Sequence, residues 1–261
     1  DTIANLRKTF LPEIKSLFVQ ILLLAQVAEI LQVGNISLDG SKIHADASKS
    51  KAVSHKRLVE LEAKLKQEVN ELLSLGEEED QGELSLPTGL IIEDEIALRK
   101  QRLTNLAAAK AVLEARAQER YESEKAAHDA KMKQREEKTR QTGRKPGGRK
   151  PKPPEPGVRD KDQYNFTDPD SRIMKNSTDH GFNQHYNVQM AVDQDSLLIL
   201  APTLSNHPND QREAEPTLGA LSPKLALPKA AALDNGYFSE NNIQVFESRT
   251  IDPYIATGRG S

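Results

Sequence analysis

The chain contains no cysteine and no tryptophan, and aromatic residues make up only 4% of its 261 positions. The absence of cysteine excludes disulfide bonds and thiolate metal sites, and it is compatible with a reducing cytoplasm. Long apolar runs are also missing: the richest stretch, from Phe18 to Leu31, is interrupted by Gln20, Gln26 and Glu29. A membrane-spanning helix needs ~20 apolar residues. We therefore expect no signal peptide, no membrane span and a cytoplasmic location.

Hydrophobic residues are few and unevenly distributed. They make up 36% of the chain, against 29% charged residues. Residues 10–45 and 182–257 have the composition of a core, whereas much of 49–165 does not. The formal net charge of −3 gives no global argument for nucleic-acid binding, although charge is strongly segregated along the chain. The pattern predicts a modest core that carries a long polar insertion.

The ends of the chain predict a mixed α/β core. Helical spacing predicts a helix over 11–33, with Pro12 in its first turn and Gly34 as its stop. A strand follows, from Ile36 to about Ala45. In the second half QYNFTDPDSRIMKN resembles a loop, and two strands joined by the turn DQDS come next. The remaining predictions are a helix over 209–221, a strand over 229–233, a helix over 239–248 with Ser239 as its N-cap, and a strand over 252–257.

The middle of the chain predicts a helical hairpin followed by a linker. Apolar residues recur every three or four positions, first from Leu58 to Leu72 and again from about Ile91 to Lys138, with the acidic break GEEEDQGELSLPTG between them. Two such helices favour an antiparallel coiled coil. Residues 140–157, RQTGRKPGGRKPKPPEPG, contain recurrent proline and glycine and predict a basic, extended linker.

Two acidic residues carry the functional argument. Asp39 lies within the first strand, and Asp234 ends a short apolar strand; each is followed by a glycine-containing turn. Two carboxylates on neighbouring strands match a two-metal phosphodiester-cleaving site, because Mg²⁺ prefers carboxylate oxygens. An aspartate before Gly or Asn-Gly is also a common turn residue that hydrogen-bonds its own backbone. The residues alone leave both interpretations open.

Four segments, ISLDGSKIHADASK, DPDSRIMK, HYNVQMAVD and ALDNGYFSE, follow one another in an order that resembles bacterial insertion-sequence transposases. The resemblance is to the DDE (Asp-Asp-Glu) group and covers most of the chain. It implies an RNase H-like catalytic domain in a bacterial cytoplasm. In that family the first acid stands in an Asp-Gly-(Thr/Ser)-Lys-Ile setting, which Asp39 matches, and the second in Asp-x-Gly-Tyr, which Asp234 matches.

The resemblance also implies the chemistry and the partners. Asp39 and Asp234 would be catalytic and would ligate Mg²⁺ (or Mn²⁺) for cleavage and joining of DNA strands at the ends of an insertion sequence. The partners would be transposon-end and target DNA, with a homo-oligomer as the intact form and no membrane. The family's third acid lies in a Tyr-x-x-Arg-x-x-x-Glu pattern, which this sequence lacks. The chain opens on Asp1 and ends on Gly-Arg-Gly-Ser, so we expect a fragment lacking both termini and inactive alone.

The predicted organisation has five parts. They are an N-terminal helical segment (1–34), the first strand of the catalytic core (35–50), a helical hairpin insertion (51–139), the basic Pro/Gly-rich linker (140–165) and the rest of the core (166–261), truncated before the third acid. The candidate DNA-contacting residues are Arg144, Lys145, Arg149 and Lys150 of the linker, with Lys42 and Arg172 near the two core segments. Solvent-exposed side chains without a ligand are the simpler alternative for each.

Two other functions fit the sequence. The first is a catalytically dead transposase remnant that acts at most by binding DNA. The second is a coiled-coil interaction protein, in which the aspartate segments are turns and residues 55–138 mediate self-association.

Overall fold

The computed structural model describes residues 2–81, 91–176 and 181–258. The chain forms two compact units, which we call the sheet unit (Asp1–Ala47 with Asp170–Ser261) and the helical unit (Ser48–Pro169). In chain order the elements are α1 (Thr2–Thr9), α2 (Leu11–Val27), β1 (Asn35–His44), β2 (Ala52–Ser54), α3 (His55–Asp80), α4 (Ile92–Thr142), β3 (Gln163–Asn165), β4 (Arg172–Lys175), β5 (Phe182–Asp193), β6 (Ile199–Ser205), α5 (Ala214–Gly219), β7 (Ala230–Leu233), α6 (Glu240–Ser248) and β8 (Asp252–Ile255). The architecture is mixed α/β, as predicted.

The sheet unit is built on a mixed sheet with the strand order β4-β5-β1-β7-β8, and β6 also pairs with β5. Strand β1 is antiparallel to β5 and parallel to β7, and β7 is parallel to β8. Within this register Leu38 of β1 lies beside Leu233 of β7. The residues that follow these two leucines are Asp39 and Asp234, so the sheet brings the two predicted acids to neighbouring positions.

One face of this sheet forms the core. Side chains alternate between faces along a strand, and accordingly Ile36 and Leu38 are buried while Asp39 is exposed. The same core contains Leu22 from α2, Leu218 from α5 and Phe246 from α6, with other apolar residues of the unit. Burial on a single face fixes the register, because a one-residue slip would expose the core side chains.

Several predicted boundaries in the sheet unit are wrong. The helix predicted over 11–33 ends at Val27, and Glu29 (φ 58°) and Val33 (φ 51°) adopt left-handed conformations that no right-handed helix can contain. The helix predicted over 209–221 is limited to Ala214–Gly219. The cap at Ser239 is confirmed, since its hydroxyl accepts the backbone N–H of Asn242 at 3.1 Å.

The segment QYNFTDPDSRIMKN, predicted to be a loop, contains two strands. Its first residues form β3, which pairs with β2, and its last form β4, which pairs with β5. Both strands are only three or four residues long and lie in a segment rich in Asp, Asn and Ser, so the hydrogen bonds of a partner strand are needed to hold them extended. The DQDS turn between β5 and β6 is present, with Asp193 Oδ2 accepting the backbone N–H of Ser196 at 2.9 Å.

In the helical unit α3 and α4 pack antiparallel. Arg99 of α4 contacts Glu68 of α3 at 3.0 Å, and Lys110, further along α4, contacts the earlier Glu62 at 2.7 Å. Between the helices lies an apolar cluster formed by Leu58, Leu106, Ala109 and Leu113. The antiparallel pair is therefore present, and knobs-into-holes coiled-coil packing stays a prediction. Of the predicted acidic break, residues 76–80 continue α3, and positions 82–89 lie outside the described residues.

None of the described helices is by itself long and apolar enough to span a membrane. The bent pair α1 and α2, which meet at 79°, passes that test of length and composition only when the two helices are counted together.

Candidate active site

Asp39 lies in the middle of β1 at the point where β7 ends. Its carboxylate Oδ1 accepts the backbone N–H of Gly40 at 2.8 Å, and the residue is exposed. The same position pairs with Met190 of β5 on its other side. A strand with partners on both sides is held rigidly, so the Asp39 backbone is well fixed while its carboxylate remains open to solvent.

Asp234 follows the last residue of β7 and begins a tight turn. Its Oδ1 accepts the backbone N–H of Gly236 at 2.8 Å, which caps the short 3₁₀ turn Asn235–Tyr237. This is the Asx-turn geometry that the simpler interpretation of the sequence predicted. It uses one carboxylate oxygen only, and Asp234 is exposed. A turn role and a ligand role are therefore compatible at this residue.

A third carboxylate, from Asp210, approaches the same end of the sheet from the buried face. Its Oδ1 accepts hydrogen bonds from the side-chain amides of Asn187 at 2.8 Å and Gln189 at 2.6 Å, both on β5. A methyl group placed on Gly40 would lie 2.5 Å from this oxygen, and one placed on Gly236 would lie 3.3 Å from Asp210 Oδ2 and 3.0 Å from Asp234 Oδ1. Glycine at these two positions thus allows Asp210 to pack against the turn that carries Asp234.

Tyr237 links this arrangement to the core. It is completely buried, and its hydroxyl donates to the side-chain oxygen of Gln189. Burial raises the pKa of the Tyr237 phenol, and the negative charges of Asp210, Asp39, Asp234 and Glu213 raise it further. The phenol therefore stays protonated and acts as a hydrogen-bond donor. The chain of contacts runs from Tyr237 through Gln189 to Asp210.

Sequence reasoning did not single out Asp210. The signal that indicates it is the pair Asn187 and Gln189, which stand two positions apart on β5 and so share one face of the strand. That face is the buried one, where each amide needs a hydrogen-bond partner. The loop HPNDQREAE, which follows β6, contains Asp210 and supplies that partner.

The donor set suits a hard divalent cation. Asp39 and Asp234 each use Oδ1 in a backbone hydrogen bond and offer a second oxygen, and Mg²⁺ commonly takes one or two protein carboxylates with several waters. Across residues 2–81, 91–176 and 181–258, no group of three or more His, Cys, Asp and Glu side chains is arranged to hold a metal ion. Asp210 lies against the opposite face of β1 from Asp39, so it does not form such a group with the two predicted acids.

The four predicted DNA-contacting residues of the linker, Arg144, Lys145, Arg149 and Lys150, are all exposed and lie within one short segment of the helical unit. The other two predicted residues lie in the sheet unit. Lys42 donates from its Nζ to the backbone oxygen of Lys175 at 3.2 Å, and Arg172 donates to the backbone oxygens of Asp170 and Ser171, each at 2.8 Å. Lys42 and Arg172 therefore have internal partners, and the linker residues form the more available cationic surface.

Comparison of the chain with protein-family models, with curated proteins and with solved structures gives no significant match.

Proposed function

We propose that this chain is part of a DNA transposase of the DDE group that cleaves and joins DNA strands at insertion-sequence ends, and that the sheet unit is the core of an RNase H-like catalytic domain. The observation that carries the proposal is the pairing of β1 with β7. It sets Asp39 and Asp234, which are far apart in sequence, at neighbouring positions with exposed carboxylates.

The strand order supports the fold assignment. A two-acid site on a sheet needs the strand of the first acid to lie inside the sheet, next to the strand that carries the second. Strand β1 has this environment, with β5 on one side and β7 on the other. The helical unit then occupies the position of an insertion after the first strand, because the chain leaves the sheet unit at Ala47 and returns at Asp170.

Each residue of the proposed site would have a distinct role. Asp39 and Asp234 would hold Mg²⁺ or Mn²⁺, which supplies Lewis-acid activation of the attacking oxygen and stabilisation of the leaving oxygen when bound. Asp210 would support Asp234 from the buried side, fixed by Asn187 and Gln189. Because Asp234 is anchored through one oxygen to the backbone of Gly236, its second oxygen has a defined direction.

A direct test is metal binding by the full chain and by Asp39→Asn and Asp234→Asn. Asparagine keeps the side-chain oxygen that caps each turn and removes the negative charge, so the fold is preserved. We expect Mn²⁺ affinity, measured by electron paramagnetic resonance, to fall about tenfold or more in each variant, as happens when a metal site loses even a supporting residue. Asp195→Asn is the matched control, since Asp195 is an exposed carboxylate in the β5–β6 turn. Equal Mn²⁺ affinity in Asp39→Asn and Asp195→Asn would remove the metal site from the proposal.

The second candidate function, a catalytically dead remnant that binds DNA, is favoured by one observation. Within the described residues no third acid joins Asp39 and Asp234 in a metal-holding group. Nicking of supercoiled plasmid in Mg²⁺ separates the two. The remnant predicts DNA binding without any metal-dependent nicking. The transposase predicts that a chain carrying a third acid nicks the plasmid, and that both asparagine variants abolish this nicking.

A further inference from the structure

The segment from Gly143 to Gly157 is bound to α4 at two places. Near its start, the guanidinium of Arg135 donates to three consecutive backbone oxygens, those of Pro146 at 2.9 Å, Gly147 at 3.3 Å and Gly148 at 3.4 Å. At its end, Arg120 donates to the backbone oxygen of Gly157 at 2.9 Å and to the carboxylate of Asp162. The linker is thus fastened to the helix on both sides of its proline-rich part.

The distance between these two attachments is close to the length of the chain that connects them. Arg120 and Arg135 are about 22 Å apart along the helix axis, at 1.5 Å per residue. The return path from Gly148 to Gly157 spans at most about 28 Å as polyproline II helix, at 3.1 Å per residue. The sequence RKPKPPEP between them is rich in proline, which favours that conformation. Residues 148–157 therefore run extended beside α4, and Gly148, with φ 83°, makes the turn into this path.

The segment also concentrates positive charge. From Gly143 to Gly157 it contains five Lys and Arg residues and one acid, Glu155. The five basic side chains are exposed and, within the part of the chain that the structure describes, form no ion pair: Arg144, Lys145, Arg149, Lys150 and Lys152. Beyond the anchored end, Arg159 does form an ion pair, with Glu124 at 3.3 Å. This charge is therefore free for a polyanion.

The extended shape of the segment favours a narrow groove of a polyanion over a wide one. It contains two Arg-Lys-Pro triplets separated by Gly-Gly, and it has no helix or strand to place in a major groove. The minor groove is about 6 Å wide and admits an extended chain, and its potential is most negative where A·T tracts narrow it. Guanine's N2 amino group projects into the same groove and obstructs a chain lying there.

We infer that residues 143–152 form a preorganised element that binds the minor groove of A·T-rich duplex DNA, held in its bound shape by Arg135. This inference rests on the proposed function in that it assumes a DNA substrate, and it names the DNA feature that the helical unit recognises. Because Arg135 fixes the backbone from Pro146 to Gly148 and the following residues run extended toward the second attachment at Gly157, binding requires less further ordering, and less of the interaction free energy is lost to conformational entropy.

The experiment is fluorescence anisotropy of the full chain, in EDTA, with three duplexes of equal length: A·T-rich, G·C-rich and inosine·cytosine. Inosine·cytosine has the major-groove groups of G·C but lacks the N2 amino group, so its minor groove is that of A·T. We expect A·T and inosine·cytosine to bind with similar affinity, and G·C about tenfold more weakly. Inosine·cytosine binding like G·C would indicate the major groove. Equal affinity for all three would indicate phosphate contacts alone. Either outcome, or tighter binding of single-stranded RNA, overturns the inference.

Two variants test the role of Arg135. Arg135→Gln and Lys133→Gln each remove one positive charge from the same part of α4, but only Arg135 bonds the linker backbone. We expect Arg135→Gln to lower A·T affinity about fivefold, because the linker loses its fixed shape, and Lys133→Gln to change it less than about twofold. Equal losses in the two variants would mean that the charge matters and the anchoring does not.

Replacing Arg144, Lys145, Arg149 and Lys150 together with Gln should reduce the slope of log affinity against log salt by about 3 to 4, at about 0.9 per phosphate contact. An unchanged slope would place the DNA elsewhere on the chain. Asp195→Asn, at an exposed carboxylate outside both sites, should bind all three duplexes like the unmodified chain. Because duplex preference is measured in EDTA and Mn²⁺ affinity is measured without DNA, a failure of the DNA preference is distinguishable from a failure of the metal site.

Discussion

The two units treat polar side chains in opposite ways. In the sheet unit several are buried and hydrogen-bonded inside the protein. Gln189 donates to Asn187, and Asn242 donates to the backbone oxygens of Gln211 and Tyr237; these three side chains are each at most 1% exposed. In the helical unit Asn165 is the single buried polar residue among those described, and the polar contacts are partly exposed ion pairs such as Arg99 with Glu68. A buried polar network has one satisfied arrangement, whereas surface ion pairs contribute little and tolerate change. The buried network therefore fixes the positions of side chains in the sheet unit, whereas the helical unit presents charged side chains whose exact positions matter less.

The largest loss of stability is expected for a substitution at Gly40, which lies against the buried polar network of the sheet unit. A methyl group there would lie 2.5 Å from Asp210 Oδ1 and closer still to Gln189 Nε2, so Gly40→Ala must displace both partners and break their hydrogen bond. We expect a loss of about 3 kcal/mol in the free energy of unfolding, measured by urea denaturation. Gly34→Ala is the control, since a methyl group at Gly34 meets nothing within 4 Å. Similar losses in the two variants would show that the Gln189–Asp210 contact is not tight.

A smaller effect is expected at Tyr237, the buried donor to Gln189. Tyr237→Phe removes the hydroxyl and leaves the buried oxygen of Gln189 without its partner, which should cost about 1–2 kcal/mol in the free energy of unfolding, by urea denaturation. The control is Tyr254→Phe, because Tyr254 is 64% exposed.

The same pair of variants has a pH signature. The pKa of Tyr237 is raised in the folded state, so its contribution to stability is complete below the unfolded tyrosine value of 10.0 and is lost as the pH rises above it. The hydrogen bond with Asp252 also raises the pKa of Tyr254, but that side chain is exposed and solvent screens its contribution. The decline in stability above pH 10 should therefore be shallower in Tyr237→Phe than in Tyr254→Phe. An equally steep decline in both would mean that Tyr237 ionises freely in the folded protein.

The smallest effect tests the helical unit, at Glu62. The hydrogen bonds from Lys110 and then Lys66 lower the pKa of Glu62 from 4.5 to about 2. The stabilisation by this carboxylate is thus present above pH 4.5 and disappears as the pH falls toward 2. Because the pair is partly exposed, Glu62→Gln should cost less than about 1 kcal/mol at pH 7 and clearly less at pH 2, by thermal denaturation. Glu60→Gln, which removes a more exposed pair with Arg57, is the control and should cost less than Glu62→Gln at pH 7. A loss at Glu62 that persists at pH 2 would point to packing instead of charge.

Local patterns in the sequence predicted most of the elements, because their signals lie within a few residues. The periodicity from Leu58 onward predicted α3 and α4, and the apolar run before Asp234 predicted β7. The end of α2 was missed because Ala28 to Val33 continues an apolar pattern while Glu29 and Val33 turn out of the helix. Strand β4 was missed because its extended form depends on pairing with β5, a contact that no local pattern records.

In the candidate site, too, residues with a local sequence signal were predicted and residues placed by long-range contacts were missed. Asp39 and Asp234 were found because each stands beside a short apolar strand and a turn. Asp210 was not found, since its position depends on a loop folding back over Gly40 to meet the amides of Asn187 and Gln189. The fastening of the linker by Arg135 was also beyond prediction, because one arginine among many gives no sign of which backbone it will bind.

The parallel pairing of β1 with β7 has a consequence for the time at which the site forms during synthesis. Asp39 leaves the ribosome early, and its neighbour Asp234 follows only after the whole helical unit and strands β4 to β6 have been made. At ~5–20 residues per second this interval is on the order of ten seconds or longer. A nascent chain therefore completes the basic linker and its attachment to α4 while the two carboxylates are still unable to meet.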